Sequence, residues 1–263
     1  MPATYGAVTT ALKNCLELID VKLETMLDVG AGTGAATWAT SNLIDLKNVT
    51  CIEREPYMQK VGSKLMNSNE LLKDVRWISK DILKEQISEK ADLVIASYMI
   101  NELPNEKRIN VINQLMNATN ELLIIIEPGT PEGHNIIKNI KKYCIENNLY
   151  VIAPCVSQEE CKLDSSNWCH STCRIQRTKI HKLLKDGDVP YEDEKFSYIA
   201  VSKQKVNHQN SRILRHPIIK SGFVNLELCT KDGIKNVTIS KKDGNLYKQA
   251  KKKNCGDSLP YNS

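Results

Sequence analysis

The chain has 263 residues, 41% of them hydrophobic, and 36 basic against 31 acidic side chains give it a net charge of +5. That length suits one large α/β domain with an appendage, or two modest domains, with enough apolar content for a sizeable core. No window approaches the roughly 20 uninterrupted apolar residues of a membrane helix, and Met1-Pro2-Ala3-Thr4-Tyr5 is no basic-then-apolar signal, so a cytosolic monomer without membrane contact is expected.

Residues 3–20 repeat apolar positions (Ala7, Leu12, Leu16, Ile19) at helical spacing. A strand-like run, 25–29, then ends abruptly in Gly30-Ala31-Gly32-Thr33-Gly34. A helix is predicted over 35–43, a strand over 49–52 ending at Glu53, and a helix over 57–65. Residues 75–79 before Asp81, 93–96, and 122–126 before Glu127 read as further strands separated by helical patterns. Such alternation implies an α/β fold with a doubly wound, mostly parallel sheet covered on both faces. Periodicity fades after Tyr150, and 153–174 reads as a cysteine-rich insert. A basic helical patch over 174–185, the acidic run Glu192-Asp193-Glu194 and a closing strand at 196–201 follow. Short strands around Gly222, Asp232-Gly233 and Asp243-Gly244 suggest a small C-terminal β appendage. The expected division is a nucleotide-binding core over 1–150, insert and closing strand over 151–206, and a basic appendage and tail over 207–263.

The turn from Asp28 to Gly34 joins a buried strand to a helix, where residues lacking a β-carbon let backbone approach a ligand closely. Gly30, Gly32 and Ala35 satisfy the dinucleotide fingerprint, with Glu53 about twenty residues on to hold a ribose. Spacing therefore leaves both NAD and S-adenosylmethionine open. Asp28 tilts the balance, because a carboxylate suits the positively charged amino-acid moiety of the methyl donor and repels a pyrophosphate. Glu53 serves either ligand, and Asp81 suits an adenine amino group or, equally, a helix N-cap. Asp28-Val29-Gly30-Ala31-Gly32-Thr33-Gly34 resembles the first motif of the seven-strand methyltransferases, which implies a doubly wound sheet with ligand at its C-terminal edge, over residues 1–150.

Methyl transfer depends on in-line proximity and requires little acid–base machinery. Asn101 and Glu102, in the segment Ser97-Tyr98-Met99-Ile100-Asn101-Glu102-Leu103-Pro104 after the fourth strand, are the candidate catalytic residues, though helix capping explains them about as well. An Asn-Pro-Pro-Tyr type motif is missing, and Pro154-Cys155 lies outside the strand expected for a covalent nucleophile. Glu127-Pro128-Gly129-Thr130-Pro131 either closes the pocket or is a simple turn.

Nine cysteines, an odd number in a chain expected to be intracellular, argue for metal or cluster ligation over a disulfide scaffold. Cys155, Cys161 and Cys169 are widely spaced on the insert, with Cys229 coming in from the appendage, an arrangement that suits an iron–sulfur cluster at least as well as zinc. His170 and Cys173 are possible substitutes. Cys15, Cys51 and Cys144 read as core, and Cys255 has no evident role.

Met1-Pro2-Ala3-Thr4-Tyr5, the glycine loop, Asn101-Glu102-Leu103, Glu127-Pro128-Gly129-Thr130-Pro131, Trp168-Cys169-His170 and Asp193-Glu194-Lys195-Phe196-Ser197-Tyr198 together resemble the mitochondrial small-ribosomal-subunit methyltransferase-like family and its bacterial relatives. The resemblance runs over nearly the whole chain. It implies a [4Fe-4S] cluster on Cys155, Cys161, Cys169 and Cys229 and a role in small-subunit assembly. Relatives carry a helical section before the Pro-Ala-Thr-Tyr motif, so part of the ribosome contact is expected to be absent, and Cys173 stands where relatives tend to have another residue.

Charge is unevenly distributed: residues 201–263 hold 13 basic and 4 acidic side chains, a net +9 against −4 for residues 1–200. Arg212, Arg215, Lys220, Lys241, Lys242, Lys248 and 251–253 would neutralise phosphates of ribosomal RNA, with few aromatics for base stacking. Two functions follow: an S-adenosylmethionine-dependent methyltransferase acting on the small ribosomal subunit, or a non-catalytic assembly factor that keeps pocket and cluster as structural devices. A NAD-dependent oxidoreductase is disfavoured by Asp28 and the basic tail.

Overall fold

Short runs of branched apolar residues alternate with amphipathic ones through the first 150 positions, and each pair becomes a strand and its return connection. In the computed structural model, which describes residues 1–163, 167–177, 179–184, 189–207 and 210–261, the chain opens on α1 (Pro2–Leu16). It continues through β1 (Thr25–Val29), α2 (Ala35–Ser41), β2 (Asn48–Glu53), α3 (Pro56–Met66), β3 (Arg76–Ser79), β4 (Ala91–Ser97), α4 (Asn105–Ala118), β5 (Thr119–Pro128), α5 (Pro131–Glu146) and β6 (Tyr150–Ala153). Then come β7 (Ser171–Gln176), α6 (Lys179–Leu184) and β8 (Tyr191–Ser202).

Strands run in the order β3-β2-β1-β4-β5-β8-β6, parallel from β3 to β5, with β8 antiparallel between β5 and β6. Period-two alternation sends Met26, Leu93, Ile95, Ile124 and Phe196 into one layer with α1 and α2. Leu27, Val29, Val94, Ile125 and Ile199 enter the other, with α4 and α5. Each fully buried Leu or Ile adds roughly 1.5–3 kcal/mol, and the two faces share the strands, so a one-residue slip would exchange both sets of contacts.

Three sequence expectations need correction. The helical run over 3–20 stops at Leu16, and Leu18 and Ile19 donate their N–H groups to Cys15 O as the chain turns while still packing on the same core. The basic patch over 174–185 is helical only at Lys179–Leu184, and its residues 178 and 185 lie outside the described residues. Arg174 to Gln176 belong instead to β7, because the acidic run lies directly opposite: Arg174 pairs in register with Asp193, donating at 2.7 and 2.8 Å, and stacks over Tyr191. For the same reason β8 begins at Tyr191 rather than Phe196, and β7 makes the sheet eight-stranded.

A second, five-stranded sheet follows, built from β9 (Ser211–Ile213), β10 (Ile218–Lys220), β11 (Phe223–Thr230), β12 (Gly233–Ser240) and β13 (Ser258–Leu259), with α7 (Asn245–Ala250) packed on it. Asp243-Gly244 is not a hairpin turn: Ser240 and Asp243 form a capping box, and Gly244 leads into α7. On β11, Val224, Leu226 and Leu228 enter this sheet's own core, so alternation turns Cys229 to the opposite face. No helix among the described residues is long and apolar enough to cross a membrane.

Candidate functional site

Two cavities hold most of the site residues singled out from the sequence. The first is an open cleft of about 1000 Å³ at the C-terminal ends of the parallel strands, lined by Gly30, Gly32, Glu53, Met58, Asp81, Ile82, Leu83, Met99 and Glu102 among others. Its position is the one parallel strands dictate, since their C-terminal ends and the loops leaving them form the crevice of an open α/β sheet. Gly32 has positive φ (57°) and nothing above its Cα within 4 Å, so the loop's floor is bare backbone. Glu53, ending β2, accepts from Gly32 N at 2.7 Å and from Glu55 N at 2.9 Å, which fixes its carboxylate on that floor. Asp81 lines the cleft and also accepts from Leu83 N at 3.1 Å, holding its own turn; that bond keeps its carboxyl below the ordinary range.

Asp28 is placed differently from the sequence expectation. It is fully buried and not among the residues lining the cleft; its Oδ2 accepts from Thr37 N (3.2 Å) and Thr37 Oγ1 (2.9 Å), and its Oδ1 has no partner. It therefore ties β1 to α2, and burial pushes its pKa up to about 6 against the two Thr37 bonds. Gly34, the N-cap of α2 at φ 81°, has Met66 and Trp77 against the place a β-carbon would occupy, so it packs the loop onto α3 and β3.

Asn101 and Glu102 sit on a single 3₁₀ turn (Ile100–Glu102) after β4. Glu102 is exposed and lines the cleft. With its amide turned so that the nitrogen faces Glu127, the orientation that satisfies both amide atoms, Asn101 donates to Glu127 Oε2 at 2.9 Å and to Tyr98 O at 3.2 Å. Glu127, wholly buried at the end of β5, also accepts from Ile100 N (2.9 Å) and Asn101 N (3.2 Å). Burial raises it to about 7, with those two N–H groups opposing. Sequence reading singled out the motif around Glu127 but missed its role as the clamp on the turn; the only available signal was a carboxylate ending an otherwise apolar strand.

The second cavity, about 820 Å³, lies between the edge of the main sheet and the second sheet, and Cys155, Cys161, Cys169 and Cys229 all line it. Cys155 follows β6, Cys161 and Cys169 come from the connection to β7, and Cys229 from β11. Among the described residues no group of three or more His, Cys, Asp or Glu is placed to hold a metal ion. Trp168 Nε1 donates to Gly129 O (3.0 Å) and Ser197 Oγ to Cys169 O (2.8 Å), anchoring the Cys169 segment on β5 and β8. Burial pushes Cys169 up to about 12, with Arg212 pulling the other way. His134, from α5, also lines the cavity and is held down to about 4 by burial and the nearby cations.

The family model for the mitochondrial small ribosomal subunit protein Rsm22 matches residues 1–260. The chain belongs to that family. It is also 23% identical over 258 residues to the human mitochondrial ribosome assembly protein METTL17, covering 90% of this chain and 55% of that protein, so the chain spans about half of its length. Among solved structures it is similar to the N-methyltransferase NodS of Bradyrhizobium japonicum, at TM-score 0.50 and 14% identity, over 78% of this chain and 98% of that one. The NodS complex with S-adenosyl-L-homocysteine aligns at TM-score 0.50 and 12% identity, over 76% and 86%. These likenesses show a methyltransferase-like α/β fold.

In this Rsm22-family chain the remaining cysteines separate cleanly from the cavity. Cys173, on β7, packs over Gly6 of α1, and His170 faces Cys255 at 3.8 Å, so neither joins the four lining thiols. Cys15, Cys51 and Cys144 are buried core residues. Two of the cations expected on phosphate are engaged elsewhere. Arg212 is 4% exposed and donates to Cys169 Sγ at 2.9 Å and Ser171 Oγ at 2.8 Å. Arg215 bonds Trp168 O, Asn167 Oδ1 and Leu214 O. Lys220, Lys241, Lys242, Lys248, Lys251 and Lys252 are exposed, and Lys253 is half-buried.

Proposed function

We propose that this protein is a methyltransferase-like ribosome assembly factor that binds S-adenosylmethionine in the glycine-loop cleft and acts on the small ribosomal subunit, with its RNA as the contact. The observation that carries the reading is Glu53, held on the bare floor beside Gly32 at the end of β2, where its carboxylate would meet a ribose diol. Met58, Ile82 and Leu83 offer apolar surface for a purine, and Asp81, which lines the same cleft, would accept from its amino group. Membership of a small-ribosomal-subunit family and the assembly role in the human relative's name support the partner. The exposed lysines of residues 220–252 supply a phosphate-facing surface. Calorimetric titration tests the ligand: heat with NADH and none with S-adenosylmethionine would sink this reading.

Asn101 favours a second reading. Its amide donors are spent on Glu127 and Tyr98 rather than offered to a substrate, as in a protein that binds the methyl donor without turning it over. Incubating the protein with isotopically labelled donor and immature small subunits separates the two: label in RNA or protein marks an enzyme, and binding without label marks an assembly factor alone.

The donors lining the cysteine cavity support a four-iron, four-sulfide cluster: three thiols from the β6–β7 connection and one from β11, with the buried guanidinium of Arg212 beside them. Cys155, Cys161, Cys169 and Cys229 would hold it. When bound, such a group supplies a redox-active cross-link between the two sheets, and Trp168 and Ser197 hold the Cys169 segment in position for it. Anaerobic purification with iron, sulfide and zinc quantified tests this; zinc without iron or sulfide refutes it.

A further inference from the structure

A guanidinium without a carboxylate partner is a costly thing to bury, since a charge taken out of water must be compensated where it lies. Arg212 is such a group, at 4% exposure, with Nε lacking any hydrogen-bond partner and its two terminal nitrogens on Cys169 Sγ and Ser171 Oγ. Lys141 is a second. It stands on the inward face of α5 at 5% exposure and lines the same cavity. Among the described residues no carboxylate pairs with either, and the carboxylate that lines this cavity, Glu160, is exposed and bonded to neither.

We propose that Arg212 and Lys141 are the built-in counter-charges of the cysteine cavity, placed to neutralise a dianionic tetrathiolate centre. The inference rests on the reading of Cys155, Cys161, Cys169 and Cys229 as ligands of one group. A core of two positive charges bound by four thiolates keeps two negative charges, whether that core is a four-iron cluster or a single divalent ion. The two cations meet that charge from different elements: Arg212, taken out of water, on β9 of the second sheet, and Lys141, whose ammonium keeps contact with solvent, on α5. Arg212 does so by direct donation to a ligand sulfur, the kind of outer contact that orients a ligand and tunes the group it holds. A dianionic centre beside it also explains why buried Arg212 needs no carboxylate.

The full chain, purified without oxygen, provides the test. Arg212→Met and Lys141→Met are compared with wild type and with the charge-keeping Arg212→Lys and Lys141→Arg. Iron, sulfide and zinc contents are measured, and the midpoint potential is followed by electron paramagnetic resonance during a redox titration. Both methionine variants are expected to retain less cluster and to move the potential in the negative direction, because the added electron loses a neighbouring cation. The charge-keeping variants should stay near wild type. Unchanged content and potential in both methionine variants overturns the proposal. If Arg212→Met does not fold, Ser171→Ala, which removes only the anchor of one guanidinium nitrogen, reads the same shift in smaller measure, and its absence there and in Lys141→Met counts equally against it. Zinc in wild type would sink the iron–sulfur reading alone. Chelator competition then decides the counter-charges, with about tenfold weaker zinc retention expected in the methionine variants and equal retention overturning them. Wild type with no metal at all refutes both.

Discussion

The carboxylate of Glu127 accepts the backbone N–H of Ile100 at 2.9 Å, tying the buried end of β5 to the turn that carries Asn101 and Glu102. Through this bond a residue that does not line the cleft decides where the turn flanking it stands.

That clamp should be visible in the pH dependence of stability. Burial raises Glu127 to about 7 from an ordinary 4.5. A carboxyl whose folded pKa is raised contributes stability that is full below its unfolded pKa and lost as pH rises through its folded one. Thermal melts of wild type and Glu127→Gln should therefore run close together near pH 5. Wild type should fall behind above pH 7, by on the order of 3 kcal/mol at most. A difference that stays constant across that range would remove Glu127 as the titrating clamp.

Glu53→Gln should weaken S-adenosylmethionine binding by about tenfold or more, the loss of one charge-assisted hydrogen bond or two. The bonds to Gly32 and Glu55 link positions already held by β1 and α3, so melting temperature should change little. Calorimetry on the folded variant measures the first, and equal affinity would place the diol elsewhere.

Gly32 and Gly34 should respond oppositely to alanine. Both have positive φ, at a cost of roughly 1–2 kcal/mol for a residue with a β-carbon, but only at Gly34 does the new methyl collide with Met66. Gly34→Ala should lose several degrees of melting temperature. Gly32→Ala should keep most of its stability and lose ligand, because its methyl enters the open floor of the cleft.

Serine at Cys155, Cys161, Cys169 or Cys229 should lower bound metal, whereas Cys173→Ser should leave it unchanged, since Cys173 faces Gly6 on α1. Metal analysis of five single variants is sufficient. A fall in Cys173→Ser together with retention in Cys229→Ser would reassign the fourth ligand.

Much of this molecule was legible without coordinates. The parallel strands, the glycine loop and Glu53 at the end of β2 are local or periodic signals, written in residues next to one another. Period-two alternation and glycine backbone freedom act within a few positions, and so survive in any tertiary context. Direction was not legible. Asp28 looks like a ligand contact from its place before the glycines, and the start of α2 folds back so that Thr37 N–H and hydroxyl take one of its two oxygens and leave the other without a partner. Arg212 and Arg215 looked like phosphate contacts because composition counts charge and not burial; the register of β9 and its neighbours turned them inward to Cys169 and Trp168. The acidic run at 192–194 found its basic partner only through the pairing of β7 with β8. Sequence by itself determined the strands, the turn chemistry and the cysteines available. The tertiary structure alone decided which polar groups face one another, because those contacts join residues 9 to 47 positions apart on different elements and depend on how those elements pack.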